Sequence, residues 1–292
     1  MNNKYKKVPV CIGFLLPVFL IYTIFLFVPL VQSAYYSLTS WNGVTEKVFV
    51  GLDNFKALFS NSDYWITFWN TIKLVVISLC IQIPVGLLLA YLLYSKIKGM
   101  KIFRTIFFLP VVIAPVAISL MFSLFYNSEI GIFNKVLEAI GLGRFATNWL
   151  SNIHTLLYAV MVPQVWQYIG LYVTIFLGAL QSMTEELSES AQIDGANRTQ
   201  TFFHVVLPEI ANFTNICVIL CVTGSLKAFE HSWIMTGGGP NGASSVILQY
   251  IYKIGMEQGS YGYAMALTVF ITVFSAVLSV ISQLLMNREK GE

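Results

Sequence analysis

Charge is what this chain has least of. Only 11% of its 292 residues are Asp, Glu, Lys or Arg, against 57% hydrophobic, and the mean hydropathy is +0.72. Soluble domains carry about a quarter charged residues, so a water-facing surface cannot be built from this composition and lipid must cover much of it. The net charge of +3 is too small to point to a nucleic-acid or acidic partner. Cysteine is scarce too. Cys11, Cys80, Cys217 and Cys221 each fall inside an apolar run, where thiols behave as small hydrophobes and not as a disulfide framework. Cys217 and Cys221 share a helical face at i,i+4 but have no His or carboxylate close by in sequence, so no metal site is expected.

Two further absences bear on the energy source. None of the fourteen acidic residues lies in the apolar core of a candidate span, and His154, His204 and His231 fall at span ends or in loops. Ion-coupled transporters normally keep such groups inside the membrane. The chain also lacks a GxxxxGK[ST] phosphate loop. The run Gly237-Gly-Gly239 has no following lysine and reads as a tight turn. If the chain moved a solute, it would have to draw the energy from a partner, and no bond chemistry is expected of it.

What is abundant is apolar length. A bilayer core takes about 20 residues as helix. Six stretches qualify: Val8–Val31, Trp69–Tyr94, Ile106–Tyr126, Leu156–Leu180, Pro208–Leu226 and Tyr263–Met286. The first is too long for a signal-peptide core. Pro110, Pro115 and Pro163 fall inside spans, where freed carbonyls must find other donors. The expected fold is all-α, a polytopic membrane protein of about six spans. It is read as one domain over 1–292, with a core at 69–286. One side of the spans holds ten basic residues (Lys4, Lys6, Lys7, Lys96, Lys98, Lys101, Arg104, Arg198, Arg288, Lys290) and the other six, in longer loops. The positive-inside rule therefore puts both termini in the cytoplasm. Lys73 stands at the outer edge of the second span, where it can snorkel.

That orientation leaves one long cytoplasmic loop, about 181–207. Ser182 with Glu185 reads as a capping box for a short helix. Leu187, Ala191 and Ile193 give that helix a narrow apolar stripe, and Asp194-Gly195 supplies a turn. Pro208 suits the first turn of the fifth span. Such a helix fits a groove on another protein, or simply caps the bundle.

The pattern Glu189-x-Ala191-x-x-Asp194-Gly195-Ala196, followed by Val205 and Leu207-Pro208, resembles the EAA loop of ABC importer permeases. Ser190 departs from the usual second position. Phe107-Phe-Leu-Pro110, Met235-Thr-Gly-Gly-Gly-Pro240, Tyr250-Ile-Tyr252 and Tyr261-Gly-Tyr-Ala264 narrow the resemblance to carbohydrate permeases of the maltose and glycerol-phosphate type, the first permease of the pair. The six-span members are the nearer match, since the maltose subunit carries additional N-terminal spans. The resemblance implies a type I importer permease fold in a bacterial-type cell membrane. It also implies a second permease, two ATPase subunits that bind the ATP and Mg, an extracytoplasmic solute-binding protein and a sugar cargo. The implied ATPase contact is Glu189, Ala191, Asp194, Gly195, Ala196 and Arg198, with Phe202 and Phe203 packing behind and Leu207 and Pro208 closing the loop.

A sugar path needs hydroxyl-binding groups and aromatic faces in an otherwise apolar pocket. Two stretches offer that mix. One is Gln164, Trp166, Gln167 and Tyr168 with Tyr172. The other is Thr223, Ser225, Lys227, Phe229, Glu230 and His231, with Lys227 and Glu230 spaced for an i,i+3 pair. Asn70 and Gln82 are lesser candidates. The alternatives are the same role for a phosphorylated polyol or other small polar solute, or a stand-alone ion-coupled transporter.

Overall fold

The computed structural model describes residues 7–94, 99–183, 187, 190, 191 and 193–288. The helices, in chain order, are α1 (Lys7–Tyr22), α2 (Val28–Tyr36), α3 (Asp53–Ser60), α4 (Ser62–Tyr94), α5 (Met100–Val112), α6 (Pro115–Phe125) and α7 (Ile132–Ala139). They continue with α8 (Leu156–Ser182), α9 (Arg198–Thr201), α10 (Ala211–Leu226), α11 (Glu230–Thr236), α12 (Ile247–Tyr252) and α13 (Tyr261–Arg288). Five of the described helical stretches are long and apolar enough to cross a membrane, and the bent pair α5–α6 makes a sixth. The all-α, roughly six-span expectation therefore holds.

Contacts divide the chain into two compact units, the first holding residues up to 61 with 251–273 and the second 62–250 with 274 onward. In the first unit, a π-helical turn (Thr23–Phe27) joins α1 to α2. No residue of 13–36 is fully buried, and most are exposed, as suits a helix whose apolar side chains meet lipid or a partner. After α2, two short strands, β1 (Thr39–Ser40) and β2 (Val48–Phe49), pair antiparallel with Thr39 opposite Phe49. The Lys47 ammonium lies 4.1 Å from the Tyr36 ring centre and 4.7 Å from that of Trp41, a cation–π arrangement. Asn54 donates its amide to the carbonyls of Ser37 and Thr39.

The second unit is built on α4 against α8. Gly86 lets them close, since a Cβ there would meet Tyr172. Gly170 does the same for α5, where a Cβ would run into the Phe107 carbonyl. Below this contact, Leu87, Ala90, Leu93, Phe176, Leu177, Leu180, Cys217 and Cys221 form the main apolar core. α4 begins at Ser62, seven residues before the expected Trp69.

The third span departs from expectation. It is broken, α5 and α6 meeting at 93°. Pro115 opens α6, and the two residues before it, Ile113 (ψ 137°) and Ala114 (ψ 131°), are extended, as a following proline favours. The sequence reading placed Pro115 inside a continuous span; its ring instead starts a new helix.

Candidate functional site

A cleft of about 300 Å³ opens between α4, α8 and the end of α10. Its walls are Gln82, Gln164, Tyr168, Leu171, Tyr172, Leu220, Cys221, Gly224, Ser225, Lys227, Ala228 and Glu230. On α8, Gln164, Tyr168 and Tyr172 recur at helical spacing and present one polar-aromatic stripe. α10 ends at Leu226, with the Lys227 N–H bonded to the Gly224 carbonyl. Phe229 is non-helical (φ −147°, ψ −54°) before α11 begins. This break brings Lys227 and Glu230 to the cleft wall. They share the cleft without pairing, which corrects the expected i,i+3 ion pair: residues 227–229 are not helical, so the geometry that pair needs is absent.

Gln82 ties the three walls together. Its amide NH2 donates to the Val165 carbonyl (3.0 Å) and its oxygen accepts from the Cys221 thiol (3.3 Å). It belongs to the site more firmly than its sequence signal suggested.

Other expected path residues lie elsewhere. Gln167 donates to the Ile113 carbonyl, 2.9 Å away, satisfying backbone freed at the α5–α6 break. Trp166 turns to a separate apolar groove and packs on Phe122. Thr223 bonds back to the Ile219 carbonyl (2.7 Å). Phe229 stacks on Trp233. His231 is 2% exposed, with neither ring nitrogen hydrogen-bonded among the described residues, and it borders a small void with Phe229 and Gln164. Asn70 is engaged by the glycine-rich turn, donating to the carbonyls of Gly242, Ala243 and Ser245. That turn runs through left-handed backbone at Gly237, Gly238 and Gly239 (φ 60°, 92° and 68°), the tight turn the sequence implied. A buried polar knot holds it: Thr71 accepts from the Ile247 N–H, and Ser232 donates to the Ser244 carbonyl. Sequence reading missed Thr71, Ser232, Ser244 and Gln249; their partners are distant in sequence, so only their polarity hinted at them.

In the loop between α8 and α10, Glu185 and Glu189 lie outside the described residues. Ser182 is not an N-cap: it ends α8 with its hydroxyl bonded to the Ala179 carbonyl. Gly195 takes φ 88°, and the Ala196 N–H reaches the Ala191 carbonyl (2.9 Å), the six-to-one bond of a Schellman helix end. A capping box does occur further on, where Asn197 and Gln200 exchange side-chain and backbone bonds. Ile193 is 85% exposed, and Asp194, Gly195 and Arg198 are exposed beside it. Phe202 packs on Tyr91, ring centres 4.7 Å apart. Phe203 packs only edge-on against Phe202 (ring centres 5.0 Å apart) and is otherwise exposed, so it does not reach the core as expected. Leu207 is half-buried against the core; Pro208 lies with it in a separate short turn (Leu207–Glu209), and non-helical Ile210 (φ −87°, ψ 10°) divides that turn from α10, so Pro208 does not open the fifth span as expected.

Kinked spans around a polar-aromatic cleft, with an exposed ordered turn on a connecting loop, define a membrane transport component. Residues 82–290 match the family of binding-protein-dependent transport system inner membrane components. The chain belongs to that family. It is 34% identical, over all of both chains, to a probable ABC transporter permease protein, YurN, of Bacillus subtilis. It is 30% identical to the multiple sugar-binding transport system permease protein MsmF of Streptococcus mutans, covering 92% of each. Among solved structures it matches a bacterial ABC transporter involved in import of the acidic polysaccharide alginate. That match has a TM-score of 0.84 at 25% identity, over 97% of this chain and 96% of that one.

Proposed function

We propose that the chain is a permease subunit of an ATP-driven importer for a sugar or oligosaccharide, working as a single permease domain. It forms half of the pathway beside a second permease and is driven by two ATPase subunits that hold the nucleotide and Mg. Cargo arrives from an extracytoplasmic solute-binding protein, and both termini face the cytoplasm. The observation that carries this is the cleft: amides of Gln82 and Gln164, hydroxyls of Tyr168, Tyr172 and Ser225, and aromatic faces between apolar walls, the donor and acceptor mixture sugar hydroxyls require.

In this reading the chain performs no bond chemistry. ATP closure of the ATPase pair moves the loop carrying Ala191, Asp194, Gly195, Ala196 and Arg198, and the spans rearrange between inward- and outward-facing states. The coupling is reciprocal, so loaded binding protein raises ATPase turnover. A second reading keeps the role and changes the cargo to an anionic solute, favoured by Lys227 in the cleft, which has no ion-pair partner among the described residues.

The test is uptake by the reconstituted complex with labelled sugars. Gln164→Ala and Ser225→Ala are expected to lower uptake while binding-protein docking persists. Unchanged uptake in both variants would remove the cleft from the path.

A further inference from the structure

A second concavity lies on the face of α8 next to the cleft, about a quarter turn round the helix. It is an apolar groove of about 270 Å³ between α4 and α8, lined by Ile77 and Ile81 on one side and Val162, Trp166 and Ile169 on the other. Its floor and rims are open: Val162 is 49% exposed and Trp166 41%. Leu74 clusters with Leu157, Gln82 bonds to Val165, and Gly86 abuts Tyr172. These contacts advance together, so the two helices run parallel. That register places Lys73, one turn before Ile77, and Tyr158, one turn before Val162, at the same end of the groove.

Lys73 is exposed and, among the described residues, has no hydrogen-bond or ion-pair partner. It stands where the apolar stretch of α4 begins. Tyr158 lines the groove and is exposed beside that end. An ammonium and a phenol at one end of a hydrocarbon-lined trough match an amphiphile with an anionic head and an extended apolar tail. The trough lies within spans that cross the bilayer, so the occupant with that chemistry at hand is a phospholipid.

We infer that this groove is a binding site for an anionic phospholipid, with one acyl chain along Ile77, Ile81, Val162 and Trp166 and the phosphate at Lys73. An unpaired lysine at the headgroup level favours an anionic over a zwitterionic head about fivefold.

The experiment is native mass spectrometry of the purified full-length chain, titrated separately with phosphatidylglycerol and phosphatidylcholine, followed by bromine-labelled phosphatidylglycerol quenching of tryptophan fluorescence. Wild type is expected to retain phosphatidylglycerol about fivefold better. Lys73→Gln should erase that preference while leaving retention of phosphatidylcholine unchanged. Val162→Trp, which fills the groove, should lower retention of both lipids, and Trp166→Phe should remove the largest share of the bromine quenching. Equal retention of the two lipids by wild type, or an unchanged preference in Lys73→Gln, overturns the assignment. So does efficient cross-linking of a Val162→Cys variant to a co-purified second permease, which gives the groove to a subunit interface.

Discussion

The amide of Gln167, in the middle of α8, donates to the carbonyl of Ile113 at the corner where α5 gives way to α6. One side chain thus satisfies backbone that a proline-induced break leaves open inside the membrane, and the corner can stay sharp without an exposed polar group. Gln167→Leu removes the donor and keeps the bulk. The expected result is a loss of about 1–3 kcal/mol in stability, read as a lowered melting temperature in detergent. Cargo selectivity should be unchanged, because Gln167 does not line the cleft.

Gly86 makes a different kind of contact. A side chain there meets the Cβ of Tyr172 across the α4–α8 interface. Gly86→Val should force the helices apart at a cost of about 1–3 kcal/mol and move Tyr172 within the cleft. Thermal unfolding and uptake are expected to fall together, in contrast to Gln167→Leu.

The turn at Gly195 can be tested by the residue types its backbone tolerates. At φ 88° a β-branched side chain is strained by about 1–3 kcal/mol, whereas Asn is accepted more readily. Gly195→Val should leave a folded chain whose assembled ATPase responds weakly to loaded binding protein. Gly195→Asn should restore much of that response. Wild-type stimulation in the valine variant counts against a docking role for this loop.

Lys227 separates the two cargo readings. If the cargo is a neutral sugar, Lys227→Gln should lower uptake only a few-fold, since an amide still serves a hydroxyl. Loss of tenfold or more, about 1.4 kcal/mol, with uptake inhibited by anionic analogues, would favour an anionic solute.

The spans were legible because lipid imposes a length and a hydropathy that no other force relaxes. So was Gly195, whose Asp-Gly turn has a local cause. The break before Pro115 was not, because proline inside a span is compatible with either a mild kink or a new helix. Which one forms depends on a donor, Gln167, 54 residues away. The same limit explains the path residues. Along α8, Gln164 and Tyr168 face the cleft while Trp166 and Gln167 do not, and sequence alone does not set the helix's rotation. Gln82 was underweighted for the converse reason: its value comes from Val165 and Cys221, residues on two other helices.

The most direct test of the central claim is uptake by proteoliposomes containing this chain with and without its co-purified subunits. The account predicts that gentle capture of the chain brings down a second permease and a Walker-motif ATPase. It also predicts that only the complete complex takes up sugar, requiring both ATP and the loaded binding protein. Solute movement by this chain alone under an ion gradient, with no partner recovered, would contradict it.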